Sequence, residues 1–528
     1  MQHDLDVRKL RFGPRAERPR DVRRKLEPLE YGAVSLTLPD ELRNYLETFR
    51  PVFGRRDTLQ QGFYYATGLL SDLRRKNGET IEAAVPGATQ QGVWDFLVRS
   101  PWSWEELDRV RVLDAFRRSG AAGQPIDGVL DEVGWRKKGS LSVGVSRQYL
   151  GCIGKVDNGQ VAVSLHGCSP QIDLPLLGEL YLPEAWLKDA ERRKHARIPE
   201  DRVFLTKPEI GIRLIDRALD WGLVFNRIFA DPGYADLDFI QALRDRNLPF
   251  CLGVKSTAVF WLPDEDWLPA VPAGPYSGHG RPRIDQPALP HLHTVADLRA
   301  GIADAHWHPV AYRDGIDGEP LVREFVALRA HLTSSEQVKA GAAEAAGTVW
   351  LLLERPRASG AKDDYKQYVL SGPDTMTLDE LALLAHRRPI IERNSYENAK
   401  QEVGLSQYQG RSWIGFHHHL SMAWLALTFL ILHRNPLPPT DSTPATPSQP
   451  EPPPPAAPSS ASFGDTSVPL AVAPLAPEPL PRPHQVWESV QEVHRRLIEW
   501  FRGLRFREIL FAGRMPPLPS LGPVPLGP

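Results

Sequence analysis

Ile126-Asp127-Gly128-Val129-Leu130-Asp131 is an apolar run that ends on a carboxylate, and it predicts a buried β-strand. Apolar residues then alternate with small or polar ones over residues 141–145 and again over residues 161–165. Such alternation is typical of half-buried strands, because successive side chains of a strand point to opposite faces. Short glycine-bearing segments join the three runs, so we expect an antiparallel meander of three strands.

A helix, a strand, a second helix and a last strand are expected to follow this meander. Thr206 and Glu209 have the spacing of a capping box and therefore predict the start of the first helix. Residues 224–230 form the next apolar run, which ends at Asp231, and residues 250–254 form the last one. The order βββαβαβ, with one aspartate on the first strand and another at the tip of the fourth, predicts an α/β fold with a ribonuclease H-like core and a mixed five-stranded sheet, by analogy at the level of fold.

Length and composition set further bounds. The chain has 528 residues, whereas single cores stop growing at roughly 250 to 300 residues, so several domains are expected. The formal net charge of -2 requires any nucleic-acid binding to depend on local basic patches. Three cysteines without a CxxC pair fit a reducing cytoplasm. The strongly apolar run at 423–432 is shorter than the roughly 20 residues of a membrane span and predicts a buried helix.

Composition and periodicity divide the chain into seven expected parts. They are a basic flexible arm (1–30), a helical DNA-binding domain (31–120), the first part of the core (121–255), a mostly β insertion (256–376), the last part of the core (377–434), a proline-rich linker (435–484) and a C-terminal helix (485–512).

Two of the expected helices leave alternatives open. Residues 87–92 precede an amphipathic stretch that either begins a DNA-reading helix of helix-turn-helix type or belongs to an ordinary helical bundle. In the C-terminal helix, apolar residues recur at alternating spacings of four and three, which suits pairing with another helix or docking onto the chain's own core. These residues are Val486, Val490, Val493, Leu497, Trp500 and Leu504.

Three blocks of sequence, in the same order, resemble the insertion-sequence DDE transposases, in the cut-and-paste branch whose third block is known by the letters YREK. The resemblance extends weakly to the N-terminal helices and the insertion, and it does not include the proline-rich tail. The blocks read LDEVGWRKKG at 130–139 with SVGVSRQY at 142–149, then FADPGY at 229–234, then RPIIE at 388–392 with KQEVGL at 400–405 and YQGRSWIGFHHH at 408–419.

The resemblance implies that Asp131, Asp231 and Glu392 are the catalytic carboxylates and bind metal. In-line displacement at a phosphodiester is helped by two metal ions, and Mg²⁺ prefers carboxylate oxygens, so Mg²⁺ is the expected cofactor, with Mn²⁺ as a substitute. Asp127 and Glu132 are alternatives for the first position, since neighbouring side chains on a strand occupy opposite faces.

The third block departs from the family pattern in two ways. Arg388 matches the arginine of the signature and Lys400 approximates its lysine, but Ala385 stands where the tyrosine belongs. Glu392 and Lys400 are one residue further apart than in the family, and one extra residue turns a helical side chain by about 100°. Either a π-bulge absorbs this residue or Glu397 is the ligand. We favour Glu392, because an apolar pair leads up to it.

Basic residues of the three blocks are expected to hold the DNA backbone through its phosphates. They are Arg388, Lys400, Arg147, Lys137, Lys138 and Arg411. The run at 417–419 and the pairs His291/His293 and His306/His308 have no companion at zinc-like spacing, so we expect no structural zinc.

These inferences together predict a DDE transposase that cuts double-stranded DNA at the ends of an element and joins those ends to target DNA. Its expected partners are the element ends and the target, with a homodimer in the DNA complex and no membrane. Two alternatives remain: a ribonuclease H-like nuclease that does not join DNA, and a domesticated protein that binds element ends without cutting them.

Overall fold

The computed structural model describes residues 38–270, 272, 288–314, 319–339, 347–357, 364–387, 396, 398–434 and 489–503. The expected basic arm and the expected proline-rich linker lie outside the described residues. Arg388, Glu392 and Glu397 of the third block lie outside them as well.

Six helices form the described N-terminal region, as the helical periodicity predicts. Asn77, Thr89 and Ser103 cap the fourth, fifth and sixth of them with their side chains, because these short polar groups satisfy amide groups that a helix start leaves unpaired. The helices are α1 (Leu38–Glu47), α2 (Arg50–Phe53), α3 (Arg56–Leu70), α4 (Gly78–Ala84), α5 (Gln90–Val98) and α6 (Trp104–Arg118).

The remaining described residues form twelve strands and ten further helices in a mixed α/β arrangement. The strands are β1 (Ile126–Arg136), β2 (Ser146–Leu150), β3 (Lys155–Cys168), β4 (Asp173–Leu180), β5 (Phe225–Ala230), β6 (Phe250–Gly253), β7 (Val259–Trp261), β8 (His293–Thr294), β9 (His308–Asp314), β10 (Pro320–Thr333), β11 (Thr348–Arg355) and β12 (Lys366–Leu370). The helices are α7 (Glu184–Lys188), α8 (Ala190–His195), α9 (Lys207–Asp220), α10 (Leu237–Asp245), α11 (Val295–Gly301), α12 (Ser335–Lys339), α13 (Leu378–Ala385), α14 (Asn398–Gln401), α15 (Trp413–Leu432) and α16 (Val490–Gly503).

One continuous sheet contains all twelve strands. In its first part β3 pairs antiparallel with β1, and β1, β5 and β6 run parallel in that order. Strands β2 and β4 share the outer edge of β3, end to end. The sheet is larger than the five strands expected, because β12 pairs with the open edge of β6 and brings the strands of residues 256–376 into the same sheet.

The expected meander of three strands is wrong, because β3 lies between β1 and β2, the second strand begins later than expected, and a fourth strand was missed. Residues 141–145 form a turn, in which the Val145 amide donates to the Ser142 carbonyl at 3.1 Å and Gly144 has a φ of +72°. Glycine tolerates this left-handed conformation, and the strand begins only at Ser146. Strand β4 was not predicted, because it is buried along nearly its whole length and so has no polar alternation.

The later elements agree closely with their predictions. Thr206 and Glu209 form the capping box that begins α9, and Asp236 caps α10 by accepting a hydrogen bond from the Phe239 amide at 2.7 Å. Strand β5 ends at Ala230, directly before Asp231. The signals for these elements are local, which explains why the sequence alone located them.

Helices cover both faces of the first part of the sheet. On one face Gly211 of α9 lies against Leu130, so closely that an added Cβ would stand 3.0 Å from the Leu130 side chain. On the other face Phe416 of α15 stacks on Trp135, with 5.5 Å between the ring centroids. Helix α15 has 20 residues and by length and composition could cross a membrane, but 94% of its apolar window is buried inside the protein. It contains the apolar run that predicted a buried helix, and it forms the central core helix.

Candidate active site

Asp131 lies on β1, and Asp231 directly follows the end of the neighbouring parallel strand β5. The register of β1 and β5 pairs Val129 with Phe229, and each aspartate comes two residues later in the sequence. Paired residues of parallel strands share a face of the sheet, so the register leads both chain segments to the same end of the sheet. The fold therefore brings together two carboxylates that are 100 positions apart in the sequence.

Backbone amides hold both carboxylates. Oδ1 of Asp131, which is only 8% exposed, accepts a hydrogen bond from the Glu132 amide at 2.7 Å. Oδ1 of Asp231 accepts one from the Gly233 amide at 2.8 Å, in a tight turn that the Tyr234 amide closes on the Asp231 carbonyl. These amide donors fix the orientation of both carboxylates.

The two alternatives for the first carboxylate are already paired with cations. Asp127 forms an ion pair with Arg387 at 3.0 Å, four residues before Asp131 on the same face of β1. Glu132 points to the opposite face and binds the Lys207 ammonium at 2.5 Å. Burial raises the pKa of both carboxyl groups, while the nearby Arg387 and Lys207 lower it. The geometry therefore favours Asp131 as the partner of Asp231.

Residues next to the part of the third block that the structure does not describe make contacts with the sheet. Before them, His386 contacts the buried carboxylate of Glu354 at 3.0 Å, and Arg387 binds Asp127. Within the block, the Tyr396 hydroxyl lies 2.6 Å from the hydroxyl of Ser164. Ser164 is the residue of β3 that pairs with Asp131, so this contact brings the block to the face of the sheet that carries both aspartates.

Further along the chain, the side chains of Lys76 and His494 contact Glu402, which directly follows α14. The buried ammonium of Lys76 donates to the carbonyls of Leu69, Ser71 and Glu402 at 2.5, 2.6 and 2.8 Å, and burial lowers its pKa to about 8. His494 of α16 contacts the Glu402 carboxylate as well as the Leu70 carbonyl. The N-terminal helices and the C-terminal helix therefore meet next to Lys400.

The predicted DNA contacts differ in accessibility. Lys138, Arg147 and Arg411 are exposed, and Lys400 is half-buried. Lys137 is also half-buried, donates to the Tyr408 carbonyl at 2.5 Å and has its pKa lowered to about 8 by burial. The ammonium of Lys137 therefore ties the end of β1 to the loop that precedes α15.

Three consecutive histidines of α15 are buried and turn in different directions. His417 donates to the Trp413 carbonyl and accepts from the Leu180 amide, at 2.9 and 3.3 Å. His419 lies 2.7 Å from the Tyr65 hydroxyl and 2.9 Å from the Leu405 carbonyl. His418 has a backbone carbonyl near each ring nitrogen and stacks on Trp102. These contacts make the histidines part of the core.

The two aspartates fit a divalent cation by their donor chemistry. They supply carboxylate oxygens, which hard cations prefer over nitrogen or sulfur. Within the described ranges no group of three or more His, Cys, Asp or Glu side chains is arranged to hold a metal ion. A complete site would therefore need another carboxylate, and Tyr396 shows that the third block approaches this face.

Several residues that contact or neighbour the acidic residues were not predicted from the sequence. Lys207 was part of a recognised helix start, but its pairing with Glu132 joins residues 75 positions apart. Tyr396 and Ser164 carry no motif that predicts their contact. Tyr234 belongs to the FADPGY block, so its position next to Asp231 was a signal that sequence analysis could have used.

Comparison with known proteins identifies a family for this chain. Residues 48–319 match the family described as DDE superfamily endonuclease, a range that contains Asp131 and Asp231 and ends before the third block. Over 217 residues the chain is 34% identical to a probable transposase for insertion sequence element IS701 from Microchaete diplosiphon. That match covers 40% of this chain and 53% of the relative, so the chain spans about half the length of the protein it resembles.

Proposed function

The chain belongs to the DDE superfamily endonucleases, and on this premise we propose that it is a transposase that cuts DNA at the ends of an insertion-sequence element and joins them to a target. One observation carries the proposal: Asp131 on β1 and Asp231 directly after the adjacent parallel strand β5 each follow the register pair Val129 and Phe229 by two residues, and a backbone amide holds each carboxylate. The similarity to the IS701 protein supports the transposase activity in particular.

We propose that Glu392 is the third carboxylate and that Mg²⁺ is the natural metal, with Mn²⁺ as a substitute. Divalent cations held by carboxylates stabilise charge on the attacking and leaving oxygens of an in-line phosphoryl displacement. Asp131 and Asp231 would hold the cation, and the amides of Glu132 and Gly233 keep both carboxylates oriented. The third ligand is expected from the block that Tyr396 ties to Ser164.

The reaction then has two balanced steps. Water attacks phosphorus at the element end, the bond to the 3′-oxygen breaks, and a 3′-hydroxyl and a 5′-phosphate result. In the second step that hydroxyl attacks a phosphodiester of the target, and a target 3′-hydroxyl leaves. The number of phosphodiester bonds stays the same in the second step, so joining needs no external energy source.

The core is proposed to be ribonuclease H-like. Its support is the order β4-β3-β1-β5-β6, in which the first three strands alternate in direction and the last two run parallel to β1. The domain division given above is also proposed, with helices α1 to α6 as the DNA-binding part.

Double-stranded DNA is the proposed partner, and the exposed cations Lys138, Arg147 and Arg411 would contact its phosphates. Arg388, Lys400 and Lys137 are proposed to bind DNA as well. A homodimer in the DNA complex and a cytoplasmic location complete the proposal.

The test uses the full chain, Mg²⁺ and linear DNA carrying the inverted repeats that flank its coding sequence. We expect a free 3′-hydroxyl at the element end and a joined product, both lost in Asp131→Asn and Asp231→Asn while gel-shift binding persists. Asp216→Asn is the matched control, because Asp216 lies on α9 in an ion pair with Arg246. Full activity in either site variant would refute the assignment.

Two other outcomes would identify the alternatives. Cleavage without a joined product would identify a nuclease of the same family. Specific binding to the repeats without any cleavage by the unaltered protein would identify a protein that only recognises element ends.

A further inference from the structure

The hairpin formed by β2 and β3 leaves a group of apolar side chains exposed. Tyr149, Ile153 and Val156 are 57%, 39% and 54% exposed. Tyr149 and Val156 are paired directly across the two strands, and Ile153 lies in the turn that joins them. Single exposed apolar residues are ordinary on a protein surface, whereas a contiguous group of them marks an interaction surface. The β2–β3 hairpin is therefore a candidate binding element.

The other face of the β2–β3 hairpin is fixed to the core. Leu150 is buried, and a Cβ added at Gly134 of β1 would stand 3.3 Å from the Leu150 side chain. Successive side chains of a strand point to opposite faces, so Tyr149 points away from the surface that Leu150 covers. The exposure of Tyr149 and Val156 thus follows from a fixed strand register.

The exposed face of the hairpin continues the face of the sheet that carries Asp131. Asp131 pairs with Ser164 of β3, and neither the register of β1 with β3 nor that of β3 with β2 contains a shift. Val156 stands eight positions before Ser164 on β3, so it lies on the same face, about 25 Å away at roughly 3.3 Å per residue. A DNA duplex covers that distance in about seven base pairs, because it rises about 3.4 Å per base pair. A duplex held at Asp131 therefore reaches the hairpin within one helical turn.

Charge favours DNA over a second copy of this chain as the partner. Residues 136–158 contain five cationic side chains and one carboxylate, Asp157, which Arg136 pairs at 2.8 Å. In a twofold contact between two copies the same surface stands on both sides, so these like charges would face each other. DNA carries the opposite charge on its phosphates and offers apolar faces on its bases. The five cations are Arg136, Lys137, Lys138, Arg147 and Lys155.

We propose that the β2–β3 hairpin enters a groove of duplex DNA about seven base pairs from the cleaved bond, where Tyr149 and Val156 contact the bases. The inference rests on the proposed function, because it takes Asp131 as the site of cleavage. A two-stranded β-ribbon fits the width of the major groove, and apolar side chains that wedge between base steps unstack them. Arg147, which is exposed on the same face two residues before Tyr149, contacts a phosphate beside the groove.

The first experiment compares Tyr149→Thr and Val156→Thr with the unaltered full chain. Threonine keeps the strand preference of these positions while it removes the apolar surface. DNA affinity is measured by gel shift without metal ion, and we expect it to be about 10-fold weaker in Tyr149→Thr, with an unchanged dependence on salt. Arg147→Ala should instead reduce the slope of log affinity against log salt concentration by about 1, because one phosphate contact is lost.

The chain offers a matched control in Val224. Its side chain is 50% exposed, close to the exposure of Val156, and it directly precedes β5 at the end of that strand opposite Asp231. Val224→Thr should leave DNA affinity unchanged. This substitution makes the same chemical change as Val156→Thr, so it separates contact at the hairpin from a general effect of removing exposed apolar surface.

The second experiment locates the contact on the DNA. Unstacked thymines react faster with permanganate, so we expect enhanced reactivity about seven base pairs from the cleaved bond with the unaltered chain, and its loss in Tyr149→Thr. One arm uses a duplex that carries the element end. The other adds a target duplex to the chain bound to a pre-cleaved end. The duplex with enhanced reactivity is the one that the hairpin holds.

The outcomes separate this proposal from the proposed function. Unchanged affinity and an unchanged permanganate pattern in both hairpin variants overturn the DNA contact and leave the proposed function in place. Equal weakening in Val224→Thr also overturns it. Fewer chains per particle in light scattering, with DNA contacts unaltered, would assign the surface to a second copy and overturn it as well. If the unaltered chain does not cleave element ends, the proposed function itself fails.

Discussion

Asp127 and Glu132 differ from Asp131 and Asp231 in the groups that hold them. The first two are paired with Arg387 and Lys207, whereas the other two accept hydrogen bonds from backbone amides. A cation paired with a carboxylate competes directly with a metal ion for the same oxygens. Amide donors orient a carboxylate without placing a competing positive charge beside it.

Tyr396 bears on the identity of the third carboxylate. It lies between Glu392 and Lys400, where the sequence has one residue more than the family pattern, and its hydroxyl contacts Ser164, the residue of β3 that pairs with Asp131. Arg393 precedes Glu397 by four positions just as Arg388 precedes Glu392. The arginine spacing alone therefore does not decide between the two glutamates.

We predict that Glu392→Gln abolishes metal-dependent cleavage and that Glu397→Gln retains most of it. Losing one carboxylate of a metal site removes a charged oxygen ligand, whereas a glutamate outside the site has no such role. Cleavage of end-bearing DNA at fixed Mg²⁺ is the measurement, with DNA binding as the control. The reverse result would move the third ligand to Glu397 and change the alignment of the whole block.

At the scale of an element, α15 depends on neutral histidines. Burial lowers the pKa of His417 to about 3 and that of His419 to about 4, from an ordinary value of 6.5. The hydrogen bonds of His417 and His419 fit neutral rings, since each ring can donate from one nitrogen and accept at the other. Below the ordinary pKa the unfolded chain binds more protons than the folded chain, so stability falls as the pH falls toward the folded values.

We predict that the free energy of unfolding decreases between about pH 6.5 and pH 5, by about 1.4 kcal/mol per pH unit for each of these two histidines. Urea unfolding followed by tryptophan fluorescence measures the effect. His419→Gln should reduce the slope, whereas His195→Gln should not, because His195 is exposed at the end of α8. Identical slopes in the unaltered protein and His419→Gln would contradict the prediction.

At the scale of the whole molecule, α16 packs against α3 and α15. Val490, Val493 and Leu497 of its apolar seam are buried, and His494 reaches both Glu402 and Leu70. Docking onto the chain's own core thus accounts for the described part of the seam. Val486 and Leu504, also expected in the seam, lie outside the described residues.

We predict that deleting residues 484–528 leaves the oligomeric state of the DNA-free protein unchanged and lowers cleavage, because Glu402 at the end of α14 loses its contact with His494. Light scattering measures the number of chains per particle. His494→Ala should reproduce part of the loss of cleavage, while Arg495→Ala should not, because Arg495 pairs with Glu492 on the helix surface. A change from two chains to one after the deletion would instead show that the seam joins two chains.

Local signals in the sequence determined the kinds of element and predicted the chemistry of the proposed site. The capping box of α9 and the strand that ends before Asp231 depend on residues within one helical turn or on one strand. The three blocks likewise predicted the acidic residues without any knowledge of their arrangement. Short-range signals of this kind can be read directly from a single chain.

Only the tertiary structure decided which acidic residues stand together and what surrounds them. The placement of Asp131 on β1 next to the end of β5, which precedes Asp231, and the contact of Tyr396 with Ser164 both depend on sheet order and register. Strand β4 and the joining of β12 to β6 escaped prediction for the same reason. Hydrogen bonds between distant strands set the register, and a shift by one residue would move every side chain to the other face.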